Sequence, residues 1–596
     1  MKKFLIILML IIIIPICGII MFLKFADFNK YKPQIEELAL KYANLDVKIN
    51  GDLKIGISLK PSIDISDVKI INPENKKNIA EIGSALVQFS IMPLLKKEIV
   101  VDTIQTAQTK IYYGDNEFLD VKDLVINMDS FVSPINITFD TNIKGIDIYG
   151  DGVISSFSDI KTSNFNTINL NVNVNALGYN LNYKGDVSGL QSKIITDGDF
   201  VLKYKDNIIN GDVNVNLTTK IPDIKLSANS NKINLMDFSE KKQVSLNYLF
   251  SQANASEIIP NIVIPYEFLS MVDADIKLDI KDLIVNQDIS LSDIKINTNI
   301  KNGLLKANIE NIFAGEGKIS GIILLDKNTQ VLDVKLNGQD IIAQNLYKSI
   351  GIDKSSELYI REGGKTNFNI NLFTKGTDTN QYIANSKGHI IAFVDESVVN
   401  IKSLDKLKGS IFSQILSNLK LNIVNKEMKM SCAVVRGDIN SGIINFPKGI
   451  VFNSTDFYIV ADGTTNINND KLDLSIQPFS GKIKDANISS ILGSLLKIKG
   501  TISNPSIGIN QTEAVKNVVG ALASGGIYNA GDMMLKSDGS PCYTALKGTI
   551  YSDYFEQDKS IKNNISQTYT NTKDAIKDLG NQAKGFIKGL LGDKNK

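Results

Sequence analysis

Apolar and polar residues alternate along most of this chain with a period of two. Residues 168–176 read Ile-Asn-Leu-Asn-Val-Asn-Val-Asn-Ala. Ile168, Leu170, Val172 and Val174 fall on one side of such a strand, and Asn169, Asn171, Asn173 and Asn175 on the other. The same alternation recurs at Val213, Val215 and Leu217, at Ala274, Ile276, Leu278 and Ile280, and at Phe368, Ile370 and Leu372. A strand of this kind buries one face and wets the other. Gly-Asp pairs punctuate the runs at 51–52, 114–115, 150–151, 185–186, 198–199, 211–212 and 437–438. They read as turns, because glycine takes positive φ cheaply and aspartate bonds its own turn backbone. Their irregular spacing argues for a meander of hairpins and against a fixed-period repeat.

A different pattern opens the chain. Lys2 and Lys3 precede an apolar run from Phe4 to Leu23. About 20 residues at a helical rise suffice to cross a bilayer core. Pro15 and Gly18 interrupt the run, and membrane helices tolerate both. A cleaved signal peptide would have a shorter apolar region and a small-x-small site, whereas this run ends in Met21-Phe22-Leu23-Lys24-Phe25. The expectation is a retained single-pass anchor that includes Phe4, Leu10, Pro15, Gly18 and Leu23. The leading lysines favour a cytoplasmic N-terminus, with the bulk of the chain across the membrane. Helical spacing also appears at 29–44, where Ile35, Leu38, Ala39 and Tyr42 share a side, and at 402–420. A longer amphipathic pattern covers 558–591 and ends in Gly585-Phe586-Ile587-Lys588-Gly589-Leu590-Leu591. Such an end suits a membrane interface; packing on the β body is the other reading.

The alternation predicts a mainly β fold with one apolar face. That face must fold onto a second sheet as an ordinary core, or curl so that it lines a groove. Ile168, Leu170, Val172, Val174, Ile276, Leu278, Ile280, Phe368, Ile370 and Leu372 are the candidate lining residues.

Charge narrows the partners. Lys+Arg 65 against Asp+Glu 64 gives +1, which argues against nucleic acid, since that partner needs a basic face. Chemistry is sparse. Gly363-Gly364-Lys365-Thr366 has the tail of a P-loop, but Tyr359 stands where the motif needs its first glycine. Gly315 and Gly317 lack the third glycine of a dinucleotide fingerprint, Ser320 standing there, and a hairpin turn explains them. His389 is the only histidine, so a histidine pair for metal is ruled out. The expectation is a chain without catalytic residues, cofactor or metal. Cys432 and Cys542 either pair in an oxidising compartment or stay as free thiols.

One resemblance organises these readings. Residues 49–113 carry Gly51-Asp52-Leu53, then Asp67-Val68 with Asn72-Pro73, then Pro93-Leu94-Leu95 and Val101-Asp102. The later chain carries Gly442-Ile443-Ile444-Asn445, Gly463, Gly500 with Asn504-Pro505, and Pro541-Cys542-Tyr543-Thr544-Ala545-Leu546. In order and position these resemble the AsmA family. The resemblance implies an anchor at 1–24, an AsmA-like N-terminal module at 25–115, an elongated β body at 116–400, an AsmA-like C-terminal β region at 401–550 and a C-terminal amphipathic helix or tail at 551–596. It implies a bacterial inner-membrane protein with a periplasmic body. It also implies a twisted, taco-like antiparallel groove similar to those of chorein-type bridge lipid transporters. The implied partners are the inner membrane and phospholipids; the C-terminal helix at 558–591 is a candidate contact with the outer membrane. The implied role is phospholipid movement and outer-membrane biogenesis. Two other classes stay open: a periplasmic scaffold for outer-membrane protein assembly, and a β-rich hydrolase, for which no spacing of carboxylates speaks.

Overall fold

The structure is a computed structural model. It describes residues 27–552 except 44, 57, 59, 74–75, 96–99, 113–117, 144, 164–165, 190–193, 240–260, 287–288, 343–357, 402–425, 456, 481–495, 503–504 and 510–539. The N-terminal apolar run and the helical patterns at 402–420 and 558–591 lie outside the described residues. Among the described residues no helix is long and apolar enough to cross a membrane. The chain divides into two units, Met1–Ser230 and Asn231–Lys596.

The first unit starts with a 3-10 turn at Asn29–Tyr31 and helix α1 (Lys32–Ala43), where helical spacing predicts one. Glu36 and Asn29 accept backbone bonds from Ile49 and Leu53 at 2.9 and 3.0 Å, tying this segment to the sheet. The strands are β1 (Asp46–Ile49), β2 (Leu53–Gly56), β3 (Ser62–Ile71), β4 (Asn78–Phe89), β5 (Val101–Tyr112), β6 (Phe118–Asn127), β7 (Ile135–Ile143), β8 (Ile146–Ile154), β9 (Thr167–Ala176), β10 (Tyr179–Ser188), β11 (Ile195–Tyr204), β12 (Asn207–Asn216) and β13 (Asp223–Asn234). β1 and β2 lie end to end along β3. From β3 onward each strand pairs antiparallel with the next. The short helices α2 (Ile91–Leu95) and α3 (Phe157–Thr162) interrupt this meander. The tightest turns use glycine for its backbone. Leu177-Gly178, between β9 and β10, has φ of 53° and 84°, the two-residue hairpin in which both positions take positive φ.

The second unit holds helix α4 (Met236–Ser239), a 3-10 turn at Tyr266–Ser270, and strands β14 (Asp273–Ile284), β15 (Ser290–Lys301), β16 (Leu304–Ala314), β17 (Gly317–Asp326) and β18 (Val331–Ile342). After them come β19 (Leu358–Gly363), β20 (Lys365–Lys375), helix α5 (Thr379–Ala384), β21 (Lys387–Val394) and β22 (Ser397–Ile401). The series ends with β23 (Lys426–Asn440), β24 (Ile443–Ser454), β25 (Phe457–Asn466), β26 (Lys471–Ser480), β27 (Leu496–Thr501), β28 (Pro505–Ile509) and helix α6 (Pro541–Leu546). The meander is broken where β18 pairs with β20 and β19 with β22. The long β23 then pairs with both β21 and β22.

The Gly-Asp reading needs correction. Gly150-Asp151, Gly185-Asp186, Gly198-Asp199, Gly211-Asp212 and Gly437-Asp438 lie inside strands; among the described pairs only Gly51-Asp52 falls at a turn. At Gly150 and Gly211 the physical reason is a ring lying over the glycine. A Cβ on Gly150 would come within 2.6 Å of the Phe139 ring, and one on Gly211 within 2.7 Å of the Phe200 ring. Phe139 stands directly opposite Gly150, and Phe200 opposite Gly211. The aspartate simply takes the next position, on the wet face.

Candidate functional site

Register assigns every strand residue to a face, because directly opposed residues point the same way. In the first unit one row runs Ile63, Val87, Ile104, Ile126, Ile137, Gly152, Val172, Tyr183, Phe200, Gly211 and Ala228. A row on the other face runs Gln88, Thr103, Asn127, Asn136, Val153, Asn171, Lys184, Asp199, Asp212 and Ser227. One face of this unit is therefore apolar across its strands and the other is polar. The wet face is knitted by side chains. Asn182 donates to Asn171 and Asn173 at 3.1 and 2.8 Å, and Asn180 to Asn175 at 2.9 Å. Lys122 reaches Asp147 at 2.7 Å. That contact raises the lysine pKa and lowers that of the aspartate.

Among the described residues of this unit, the apolar face is only partly buried over much of its extent. Ile168, Leu170, Val172 and Val174 share it and stand half-buried. In the second unit, register places Leu278, Ile296, Ile309, Gly321, Leu336, Ile370 and Ile390 in one row. Ile276 and Leu372 belong to the next row on the same face. Phe368 lies opposite Gly338 on that face. Ile276, Leu278, Phe368, Ile370 and Leu372 are half-buried, whereas Ile280 is buried against Ile294.

Two features in the second unit bound this face. Along one margin Tyr266, Leu269 and Tyr382 pack on Ile300, Leu305, Leu325 and Leu332. The Tyr266 and Tyr382 hydroxyls bond each other, and Tyr266 also donates to Gly376 O at 2.9 Å. Burial raises the pKa of both tyrosines. Toward the end of the unit the same face closes. Phe457, Ile476 and Leu496 are 1–2% exposed and pack with Val399, Met428 and Ile459 into a dry cluster. The opposite face is covered there as well. Helix α6 lays Cys542, Ala545 and Leu546 on Ile391, Phe393, Val434, Val451 and Val460.

The helix is held at both ends. Ser540 caps its N-terminus. Arg436 donates to the carbonyls of Ala545 and Lys547 at 3.1 and 3.0 Å. Cys432 and Cys542, left open by the sequence, form a disulfide at 1.97 Å. The paired alternative is the one observed. The Pro-Cys-Tyr-Thr-Ala-Leu segment thus serves as a covalently pinned cap.

Motifs set aside on sequence have structural places. Gly363 and Gly364, with φ of 72° and 75°, join β19 to β20 with no helix after them. Gly315 turns β16 into β17. His389 bonds Asn369 across the sheet at 2.7 Å. Among the described residues no cluster of His, Cys, Asp or Glu could hold a metal ion. A shallow cavity of about 300 Å³ lies at β2 to β5, lined by Asp52, Lys54, Asp64, Ser66, Ser84 and Gln105 among others. Asp64, Ser66, Ser84 and Gln105 belong to the wet face. The anchor residues Phe4, Leu10, Pro15, Gly18 and Leu23 lie outside the described residues. Sequence reading missed the ring-over-glycine pairs. Their signal is symmetry: Phe200 and Gly211 stand equally far from the turn at 205–206.

No curated protein and no solved structure matches the chain. Residues 1–115, which include α1 and strands β1 to β5, match the family model described as AsmA family.

Proposed function

We propose that the chain is a non-enzymatic envelope protein whose apolar sheet face shields the acyl chains of phospholipids moving between the inner and outer membranes of a bacterium. The observation that carries this reading is the half-buried state of residues such as Leu170, Val172, Leu278 and Ile370 on a face that is apolar strand after strand. Acyl chains gain about 0.8 kcal/mol for each CH₂ taken from water, so such a face holds a lipid without dedicated ligands. Head groups stay wet at the margin. On this reading no bond is made or broken. The buried Cys432–Cys542 disulfide supports an oxidising compartment such as the periplasm for the body. Under this reading the apolar run at 4–23 anchors the chain in the inner membrane. The 558–591 pattern is its candidate contact with the outer membrane.

The test is site-specific photocrosslinking in living cells. Photoreactive residues at Leu170 and Val172 should capture phospholipid, and those at Asn169 and Asn171 should not. Equal capture on both faces, or none at Leu170 and Val172, overturns the reading. A scaffold for outer-membrane protein assembly is the second reading, favoured by the dry cluster at Phe457, Ile476 and Leu496. It predicts polypeptide crosslinks in place of lipid.

A further inference from the structure

On the first unit's apolar face, two hydroxyls have no hydrogen-bond partner among the described residues. Thr106 lies opposite Ala85 and Leu124, and Thr109 opposite Ile82 and Val121. Both side chains belong to the apolar face of β5. Thr106 is 9% exposed and Thr109 is 4% exposed, and neither Oγ1 has a hydrogen-bond partner. The ordinary solution is visible close by. Thr141, opposite Val121 on β7, donates to Asp120 O at 2.8 Å. A buried hydroxyl without a partner is destabilising, and valine has nearly the same shape without the unmet bond.

The location is special in a second way. The inward alternation changes phase along one line across four strands. It passes from Ile65 to Val68 on β3, Ala85 to Ile82 on β4, Thr106 to Thr109 on β5, and Leu124 to Val121 on β6. Asp67 and Gln108 take φ of 46° and 54° on this line. The other three strands put apolar side chains on both sides of the seam; β5 puts a hydroxyl on each side.

We propose that Thr106 and Thr109 form a binding point for the ester carbonyls of a diacyl lipid on the first unit's apolar face. The proposal rests on the acyl-chain reading above. An apolar surface is approached by the hydrophobic part of an amphiphile. The acceptor that travels with acyl chains, just inside a wet head group, is the ester carbonyl. Hydroxyls are donors suited to it. Such a point gives an otherwise featureless track a register at which a lipid pauses.

The experiment uses the full chain with a photoreactive residue at Ile104, on the same face, and a second at Val172 as reference. Wild type is compared with the double variant T106V/T109V and with T106S/T109S, and thermal melting checks that each is folded. The valine pair should lower phospholipid capture at Ile104 by about fivefold relative to Val172, the loss expected for one neutral hydrogen bond, while melting no earlier than wild type. The serine pair should keep capture. In a second arm the purified chain meets vesicles of diester or diether phosphatidylglycerol. Wild type should favour the diester at Ile104, and the valine pair should not discriminate. Unchanged capture at Ile104 in the valine pair, with Val172 still capturing, overturns the proposal: the hydroxyls then hold an ordered water only. Equal capture of diester and diether by wild type overturns it too. Absence of capture at both positions in wild type removes the acyl-chain reading, and this proposal with it.

Discussion

Truncation of the apolar face should cost very different amounts where it is filled and where it is open. Ile476 is 2% exposed, opposite Ala461 on one neighbouring strand and Leu496 on the other, inside the dry cluster. Ile476→Ala removes three carbons from a packed core and leaves a cavity, at a cost of about 3–5 kcal/mol. Leu170 loses the same number of carbons when truncated. It stands half-buried opposite Ile154 and Gly185, on a strand that packs chiefly on β8, β10 and α3. Full burial of those carbons would be worth about 2.4 kcal/mol, so Leu170→Ala should cost about 1 kcal/mol. Native-state hydrogen exchange under mild urea, read on peptides covering β9 and β26, gives the local opening free energy of each strand. The prediction is a loss at β26 at least about twice that at β9. A Leu170→Ala loss as large as that of Ile476→Ala would refute the open face, because only a filled layer over β9 could produce it.

Other expectations follow from the same geometry. The Cys432–Cys542 cross-link spans 110 residues in sequence; replacing both cysteines by alanine should destabilise the second unit by about 4–5 kcal/mol on the chain-entropy account, seen as a lower urea midpoint for peptides of β23. A Cβ on Gly338 would lie 2.3 Å from the Phe368 ring, so Gly338→Ala should cost about 1–3 kcal/mol. Phe368→Leu in the same chain should recover part of that, and a double-mutant cycle that shows no coupling would remove the ring-over-glycine account. Burial pushes the Tyr458 and Tyr551 hydroxyls up to about 12. A raised pKa contributes stability that is whole below the unfolded value of 10.0 and is lost as pH rises toward 12. Tyr551 packs on Phe393 beside α6. Loosening of α6, followed by near-ultraviolet circular dichroism, should therefore set in between those pH values and not below them.

The strands were legible because alternation and burial obey one rule. Thr167–Ala176 coincides with the Asn-interleaved run to within a residue. The phase change across β3 to β6 goes beyond strict alternation; its trace in the sequence is the spacing of Ile63, Ile65, Val68 and Ile70. The glycines were not legible, for a physical reason. Gly-Asp has the same composition in a turn and in mid-strand, and at Gly150 and Gly211 what marks the strand is an aromatic ring on the neighbouring strand. That neighbour is fixed by register, which only the turn position reveals. Leu217 shows the limit of counting by two: it follows the end of β12 and is 46% exposed. The disulfide was equally out of reach, since nothing in the spacing of Cys432 and Cys542 brings α6 onto the Cys432 face of β23.

At the end of the second unit the sheet changes character, and that bears on any cargo. Along β14 to β20 one face meets side chains such as Leu278, Leu336 and Ile370 that stand half-exposed. At β21 and β23 to β25 one face is covered by α6 and pinned through Cys432. The other face there holds Ile459 and Ala461, and it packs on into Leu474, Ile476 and Leu496. An acyl chain on the open strands displaces water and gains about 0.8 kcal/mol per CH₂. To advance under β25 it must first expel side chains whose own burial is worth about 1.5–3 kcal/mol each. The core has no room for both, since protein interiors are close-packed. On the proposed acyl-chain reading, the apolar track within this unit ends at the dry cluster, and a lipid carried that far would have to leave sideways. A photoreactive residue at Ile370 should capture phospholipid while one at Ile476 stays silent; capture at Ile476 would mean that the cluster opens and that the track continues through it.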